Sequence, residues 1–271
     1  MKAITFEEIK VIQLQILVEV ARFCESYGIK YSLAYGTLIG AVRHNGYIPW
    51  DDDIDIMMPR EDYNYFLILF NKEHSHLKVI APELNPNFYA TYANVYNIHT
   101  LLKEDGISHR RIKLGVKIDV FPMDYVSNDL NIYKKQLSRA IDLNYKMLIK
   151  RHLILPALKC DFLMGVKILL KKIIYSRYSY KALQRMIKKN SMLCPDSDFI
   201  DNIVFRITST KMTRIPKTLF DDFSIIQFEG YNLRIIKNYD AYLRPIYGDY
   251  MRLPPVEEQA PSHGFEAYWV D

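Results

Sequence analysis

Two hydrophobic periods alternate along this chain, and the changes of period mark its elements. Ile9, Ile12, Ile16, Val20 and Phe23 recur at helical spacing and form the buried stripe of a first helix. That helix opens on Thr5-Phe-Glu-Glu8, a capping box, and ends at Gly28. Tyr31 to Tyr35 reads as a short strand. Gly36 allows a sharp turn, and Thr37 is placed to cap a helical run from Leu38 to Arg43. Period two then takes over. Ile54 and Ile56 face one way while Asp53 and Asp55 share the other face, about 6.5 Å apart along a strand. Pro59 starts a helix from Arg60 to Asn71 that buries Tyr63, Phe66, Leu67 and Phe70.

Downstream, Leu77–Ile80 is a strand, and Tyr89–Val95 with His99–Lys103 forms a strand pair. In Val116–Asp124, Val116, Ile118 and Val120 lie on one face and Lys117 and Asp119 on the other, with Pro122 stopping the strand. Asp129 to about Asn190 reads as several helices. Phe199–Ile207 and Ile225–Ile236 are β-rich, the second turning at Glu229-Gly230. Asp240 caps a last helix that contains Pro245. This order predicts an α/β chain of the α+β kind, a mixed sheet core flanked by helices. It divides into a core (1–126), a helical insertion (127–198) and a C-terminal segment that packs back on the core (199–271).

Composition bounds this picture. The 271 residues hold one large domain, or one domain with a sizeable insertion. Three cysteines, Cys24, Cys160 and Cys194, are too few and too scattered for a disulfide framework and suit a reducing compartment. Seven histidines without an HExxH pair argue against zinc. Glu7, Glu8, Lys10 and Glu19 interrupt any secretory apolar stretch, which predicts a cytoplasmic protein. Charge changes more. From Ser127 to Pro195 there are fifteen Lys or Arg against three Asp, so the rest of a chain of net charge +5 carries −7. Such a basic segment is a docking surface for something anionic. Within it, 163–180 is basic and apolar together, which predicts peripheral contact with the inner face of a membrane. An insertion helix with a solvated Lys/Arg face would have the same composition.

The candidate chemistry lies in Tyr35–Met58. A bare run of aspartates also describes a solvated turn or a set of helix caps. Here it begins after Pro49-Trp50 and runs into four apolar residues, as a strand entering a core does. An EF-hand loop needs Gly at its sixth position, where Ile56 stands. Paired carboxylates without nearby His or Cys suit Mg²⁺ or Mn²⁺. Asp51 either binds the same cation or tunes its neighbours. Asp119 is a third ligand or a base, unless it faces solvent beside Lys117. Gly36 and Thr37 at a helix N-terminus, with Arg43, could hold phosphate, although Gly-Thr alone is an ordinary cap. Asp124 either supports the metal-binding acids from behind, contacts substrate or merely caps a turn. His263 is a further candidate for substrate contact, although a lone tail histidine is more often a surface residue.

The stretches YGTLIGAVRHNGYIPWDDDIDIMMPREDY (Tyr35–Tyr63), KIDVFPMD (Lys117–Asp124) and YLRPIYGDYMRLPP (Tyr242–Pro255) together resemble the LicD family of phosphotransferases, which includes the fukutin-type proteins. The resemblance implies a nucleotidyltransferase-like fold. It makes Gly36-Thr37, Asp53 with Asp55, and Asp119 the shared catalytic pattern, and it puts His263 at a matching place. The tail departs from the family pattern after its two prolines, where Glu-Gln-Ala replaces a Lys-Arg pair. The implied activity moves phosphocholine, or a related alcohol phosphate, from a CDP-activated donor (CDP-choline foremost) to a glycan acceptor that can be lipid-linked. No nucleic-acid partner is implied. Two rivals share the acidic motif: a DxD glycosyltransferase using a nucleotide-sugar, and a non-catalytic glycan-binding module. Only one helix and one strand precede Asp53, too little for the nucleotide-binding half that normally precedes a DxD motif.

Overall fold

The computed structural model describes residues 1–104, 112–151, 162–206, 210–260 and 264–270; His263 lies outside them. Strand β1 (Lys2–Ile4) leads into helix α1 (Phe6–Ser26). The capping box forms: Thr5 Oγ1 accepts the Glu8 N–H at 3.3 Å, and Glu8 Oε2 accepts the Thr5 N–H at 2.7 Å. Two N–H groups that a helix start leaves without partners are thereby satisfied. Gly28 follows the helix at φ +66°, a left-handed conformation that glycine adopts without a Cβ penalty.

The central sheet runs, in spatial order, β2 (Ser32–Leu33), β3 (Asp55–Pro59), β7 (Lys117–Val126), β5 (Ala93–Asn97) and β4 (Leu77–Ile80). β3 and β7 are parallel, with Asp55 opposite Asp119, and the other pairs are antiparallel. The expectation that Pro122 ends β7 is wrong, and the register explains why. The Asp119 N–H donates to Ile54 O at 2.8 Å, so odd residues of β7 bond β3 and even residues face away from it. On that far side β5 covers Lys117–Val120, and β8 (Phe199–Asp201) covers Asp124–Val126. Pro122 falls in the gap between them, where no N–H is needed. β8, which also pairs β9 (Ile215–Pro216), is shorter than the expected Phe199–Ile207. It gives way to a 3₁₀ turn at Ile203–Phe205 where the antiparallel register would bring Ile203 opposite Pro122, which has no N–H to offer.

Helices α1 and α3 (Arg60–Glu73) cover one face of the sheet and meet through Phe23, whose ring lies edge-on to Phe66 and Phe70. Ile56, Met58, Ile118 and Val120 are buried there. The expected pairing of the segment after His99 with β5 does not occur. Both edges of β5 are taken by β4 and β7. β6 (Thr100–Glu104) therefore joins β12 (Phe265–Trp269), which also pairs β1.

The insertion supplies α4 (Leu130–Arg151), α5 (Phe162–Tyr175) and α6 (Tyr180–Ser191). α4 and α6 build a separate apolar cluster from Tyr133, Leu143, Met147, Leu183 and Ile187 with Val126 and Val204. The hairpin β10 (Phe223–Phe228) and β11 (Tyr231–Ile236) turns at Glu229 (φ 49°) and Gly230 (φ 81°), the two positive angles a type I′ turn requires. It joins the main core with α7 (Tyr239–Tyr247). The cap of α7 is Asn238, whose Oδ1 accepts the Ala241 N–H at 3.3 Å. Asp240, expected as the cap, instead accepts from Arg244 Nε at 2.5 Å and Tyr250 OH at 2.8 Å.

Asp124 is an even residue of β7 and so points away from Asp119. Its carboxylate, 1% exposed, takes both Arg60 Nε (2.6 Å) and Arg60 Nη2 (2.9 Å). Arg60 Nη1 reaches Glu83 at 3.0 Å. Asp124 is thus part of a structural ion pair and does not support the acidic centre. Arg60→Met should cost about 3–5 kcal/mol in urea unfolding, because it leaves a buried charge unpaired, and Arg60→Met/Asp124→Leu should recover most of that loss. A single variant as stable as wild type would show that the pair contributes nothing.

Candidate active site

Helix α2 (Tyr35–His44) starts two residues before the expected cap. Its N-cap is Ala34, which has no capping side chain, and Thr37 lies in the first turn. The Thr37 hydroxyl accepts the Asp55 N–H at 2.8 Å, and the Ala34 N–H donates to Asp55 O at 3.0 Å. The turn therefore clamps both backbone polar groups of Asp55. Gly36 admits a close approach: a Cβ there would lie 2.5 Å from Asp51 Oδ2. Gly36 and Thr37 thus organise the acids: Thr37 anchors Asp55, and Gly36 leaves room for the Asp51 carboxylate. Tyr35 has φ 45°, which costs of order 1–3 kcal/mol for a non-glycine residue. Its hydroxyl accepts from Asn202 Nδ2 at 2.7 Å, and its ring packs on Phe121 and Tyr242.

Asp51, Asp52 and Asp53 precede the strand and do not belong to it, since β3 begins at Asp55. Each offers a carboxylate oxygen within 4.8 Å of the others. What pins this stretch is Gln13 of α1. Its Nε2 donates to Asp52 O at 3.1 Å and Lys117 O at 3.3 Å, bridging the leading ends of β3 and β7. Gln13 was missed in the sequence reading. The available signal was a polar residue four places after Ile9, on the buried stripe.

Asp55, Asp119 and Asn94 form a row on one face of three neighbouring strands. Asp119 Oδ1 accepts from Asn94 Nδ2 at 2.5 Å and Lys117 Nζ at 2.8 Å. The Lys117 pairing and the acid-site placement, opposed readings of Asp119 from sequence, hold together. Burial pushes the Asp55 carboxyl well above the ordinary carboxylate range, with the charges of Asp53, Asp119 and Asp51 adding to it and Lys117 opposing. Burial, with Asp52 next, also raises Asp51.

A cavity of about 210 Å³ opens on this row. Asp52, Asp53, Asp119, Lys117 and Asn94 line it, together with Tyr89 and Tyr92. Arg151, the last residue of α4, also lines it, and its buried Nε has no hydrogen-bond partner among the described residues. Arg43, expected at the phosphate, sits in the last turn of α2. There its Nη1 donates to Tyr250 O (2.7 Å) and Arg252 O (3.3 Å). Arg43 anchors the C-terminal segment, and Arg151 is the arginine at the cavity. In sequence, Arg151 is one of fifteen similar charges and carries no distinguishing mark.

A family model described as LicD/FKTN/FKRP, nucleotidyltransferase domain, matches residues 28–167. The lipopolysaccharide cholinephosphotransferase LicD of Haemophilus influenzae is 32% identical over 272 residues, 99% of this chain and 99% of that protein. Human ribitol 5-phosphate transferase FKRP is 43% identical over 53 residues, 18% of this chain and 11% of that protein. An uncharacterised protein of Rickettsia prowazekii, RP689, is 36% identical over 85 residues, 31% of this chain and 28% of that protein. These matches and the acid-lined cavity together define a transferase. The chain belongs to the LicD/FKTN/FKRP family.

The raised pKa of Asp55 makes a stability prediction. The folded state holds that proton more tightly than the unfolded chain. The stability it contributes is complete below the ordinary carboxylate range and is lost as pH rises through the raised value. In a chelator, Asp55→Asn should therefore unfold at a higher temperature than wild type at pH 8, with the difference vanishing near pH 4. A variant less stable than wild type at pH 8 would refute this.

Proposed function

We propose that the protein transfers an alcohol phosphate, phosphocholine foremost, from a CDP-activated donor to a hydroxyl of a cell-surface glycan, releasing CMP. One observation carries the reading: Asp119 lines a cavity together with Asp52 and Asp53, and Asp55 stands in register with Asp119 on the neighbouring parallel strand. Similarity along 99% of the chain to a cholinephosphotransferase supports the choice of alcohol.

The donor set fits a hard divalent cation, because crowded, largely buried carboxylates demand positive charge. Asp53, Asp55 and Asp119 would hold Mg²⁺ or Mn²⁺; Asp51 and Asp52 already lie within 4.8 Å of Asp53, while Asp55 and Asp119 stand outside that cluster and would close on the cation with it. When bound, the cation neutralises the donor diphosphate and the leaving CMP. The chain's own groups do the rest. Lys117 and Arg151, which both line the cavity, offset donor charge. Asn94 and Lys117 fix the Asp119 carboxylate. Asp119 takes the proton of the acceptor hydroxyl as that oxygen attacks the phosphorus of the alcohol phosphate and the bond to CMP breaks. Tyr89 and Tyr92, which line the cavity, are the aromatic groups there for a quaternary ammonium.

A donor screen tests this: CDP-choline, CDP-ethanolamine, CDP-glycerol, CDP-ribitol and nucleotide-sugars, with CMP release as the readout. A CDP-alcohol should be turned over only with Mg²⁺ or Mn²⁺ present. Asp53→Asn should lose at least about a thousandfold in kcat, and Arg151→Gln should raise the donor KM by about tenfold. Turnover of a nucleotide-sugar alone, or activity surviving a chelator, would overturn the reading.

A place at the membrane surface is favoured by α5. Leu163, Met164, Leu170, Ile173 and Ile174 are each more than half exposed, and Lys167, Lys171 and Lys172 share the helix. Among the described residues no helix is long and apolar enough to cross a membrane, so contact through α5 would be interfacial. The protein should co-sediment with phosphatidylserine-containing vesicles and much less with phosphatidylcholine alone. Leu170→Glu/Ile173→Glu should weaken binding by about tenfold or more; equal binding by that variant would exclude α5.

A further inference from the structure

A second cavity, of about 180 Å³, lies between α6 and the loop from Pro82 to Thr91. Lys181, Arg185 and Lys188 border it. Their spacing of four and then three residues puts them on one face of α6. Arg60 also borders it, but its charge is already engaged by Asp124 and Glu83. The rim therefore carries a surplus of positive charge. Pro82, Pro86, Ile187 and Val204 supply apolar wall.

The floor holds a polar atom in search of a partner. Gln184 is 8% exposed. Its Nε2 donates to Phe88 O and, at 3.4 Å, to Ala90 O. Its Oε1 is buried and has no partner among the described residues. An unpaired buried acceptor is costly, and a ligand hydroxyl that reached it from the cavity would relieve that cost. The two cavities share a wall. Tyr89, Ala90 and Tyr92 line the acidic one, and Thr91 between them lines this one. Gln184 holds that wall through the Phe88 and Ala90 carbonyls.

We propose that this cavity is an acceptor subsite that takes a phosphate- or carboxylate-bearing sugar of the glycan. The α6 cations meet the anion, and Gln184 Oε1 accepts a sugar hydroxyl. Below the roughly 300 Å³ of a small-molecule pocket, the space suits one sugar unit. The assignment as an acceptor site rests on the transferase reading above; the binding of an anionic sugar does not.

Isothermal titration of the full chain with glucose 6-phosphate, glucose and inorganic phosphate, each with CDP-choline present to occupy the donor site, tests it. Glucose 6-phosphate should bind more tightly than either of the others. Lys181→Gln/Arg185→Gln/Lys188→Gln changes only exposed side chains and should weaken that binding by about tenfold or more. Gln184→Leu should abolish the preference over inorganic phosphate. Equal affinity of the triple variant, or phosphate binding as tightly as glucose 6-phosphate to wild type, would overturn the proposal. Should Gln184→Leu fail to fold, the triple variant still decides. Titration of CDP-choline alone into the wild-type chain with Mg²⁺ is read separately: absence of binding would sink the CDP-alcohol reading and leave the sugar titration standing.

Discussion

Carboxylates crowded at the start of two parallel strands are the constraint on which the rest of this structure depends. Neighbouring strands lie about 4.8 Å apart. Two unit charges at that spacing repel by of order 3 kcal/mol at an effective dielectric constant near 20. Asp55 and Asp119 meet in this way, and Asp53 and Asp51 add to the charge at Asp55. No fold would gather these groups for stability. Each is held by something that leaves little freedom: Thr37 and Ala34 on the backbone of Asp55, Gln13 on Asp52, Asn94 and Lys117 on Asp119. The supports tie α1, α2 and three strands to one point.

The offsetting stability comes from elsewhere in the sheet. The opposite face of β3 and β7 is apolar, and α1 and α3 close over it with Phe23, Phe66 and Phe70 in mutual contact. The one charged group on that face, Asp124, is matched by Arg60. Strain collects on the acid face, where Tyr35 is left-handed and its ring is fixed by Phe121, Tyr242 and Asn202. Expense on one face and reserve on the other is the arrangement expected of a site that becomes comfortable only when a cation and an anionic substrate arrive.

Much of this was legible in the residue order. Period-two alternation around Ile54, Ile56, Ile118 and Val120 announced two strands, each with carboxylates on its polar side. The capping box and the Glu229-Gly230 turn are local chemistry and came out as read. Long-range partnerships did not. A strand proline reads as a stop unless one knows that its blank side faces a gap between two partners. β6 looks like a hairpin mate of β5 until both edges of β5 prove occupied. Thr37 reads as a cap because caps and strand anchors use the same hydroxyl. Arg43 and Arg151 differ only in where the fold carries them.

The insertion shows how charge gains meaning from position. Its basic surplus, one undivided feature in sequence, separates in three directions once folded. The end of α4 sends Arg151 into the acid-lined cavity, α6 turns Lys181, Arg185 and Lys188 toward a second cavity, and α5 combines lysines with exposed apolar side chains. The two cavities are separated by the single segment from Phe88 to Tyr92, and Gln184 of the same insertion grips that segment from behind. A shift of α6 would therefore move the wall on which Tyr89 and Tyr92 stand. The acid-lined cavity and the insertion-side cavity thus share one strip of backbone, and the side chain that holds it, Gln184, belongs to the insertion.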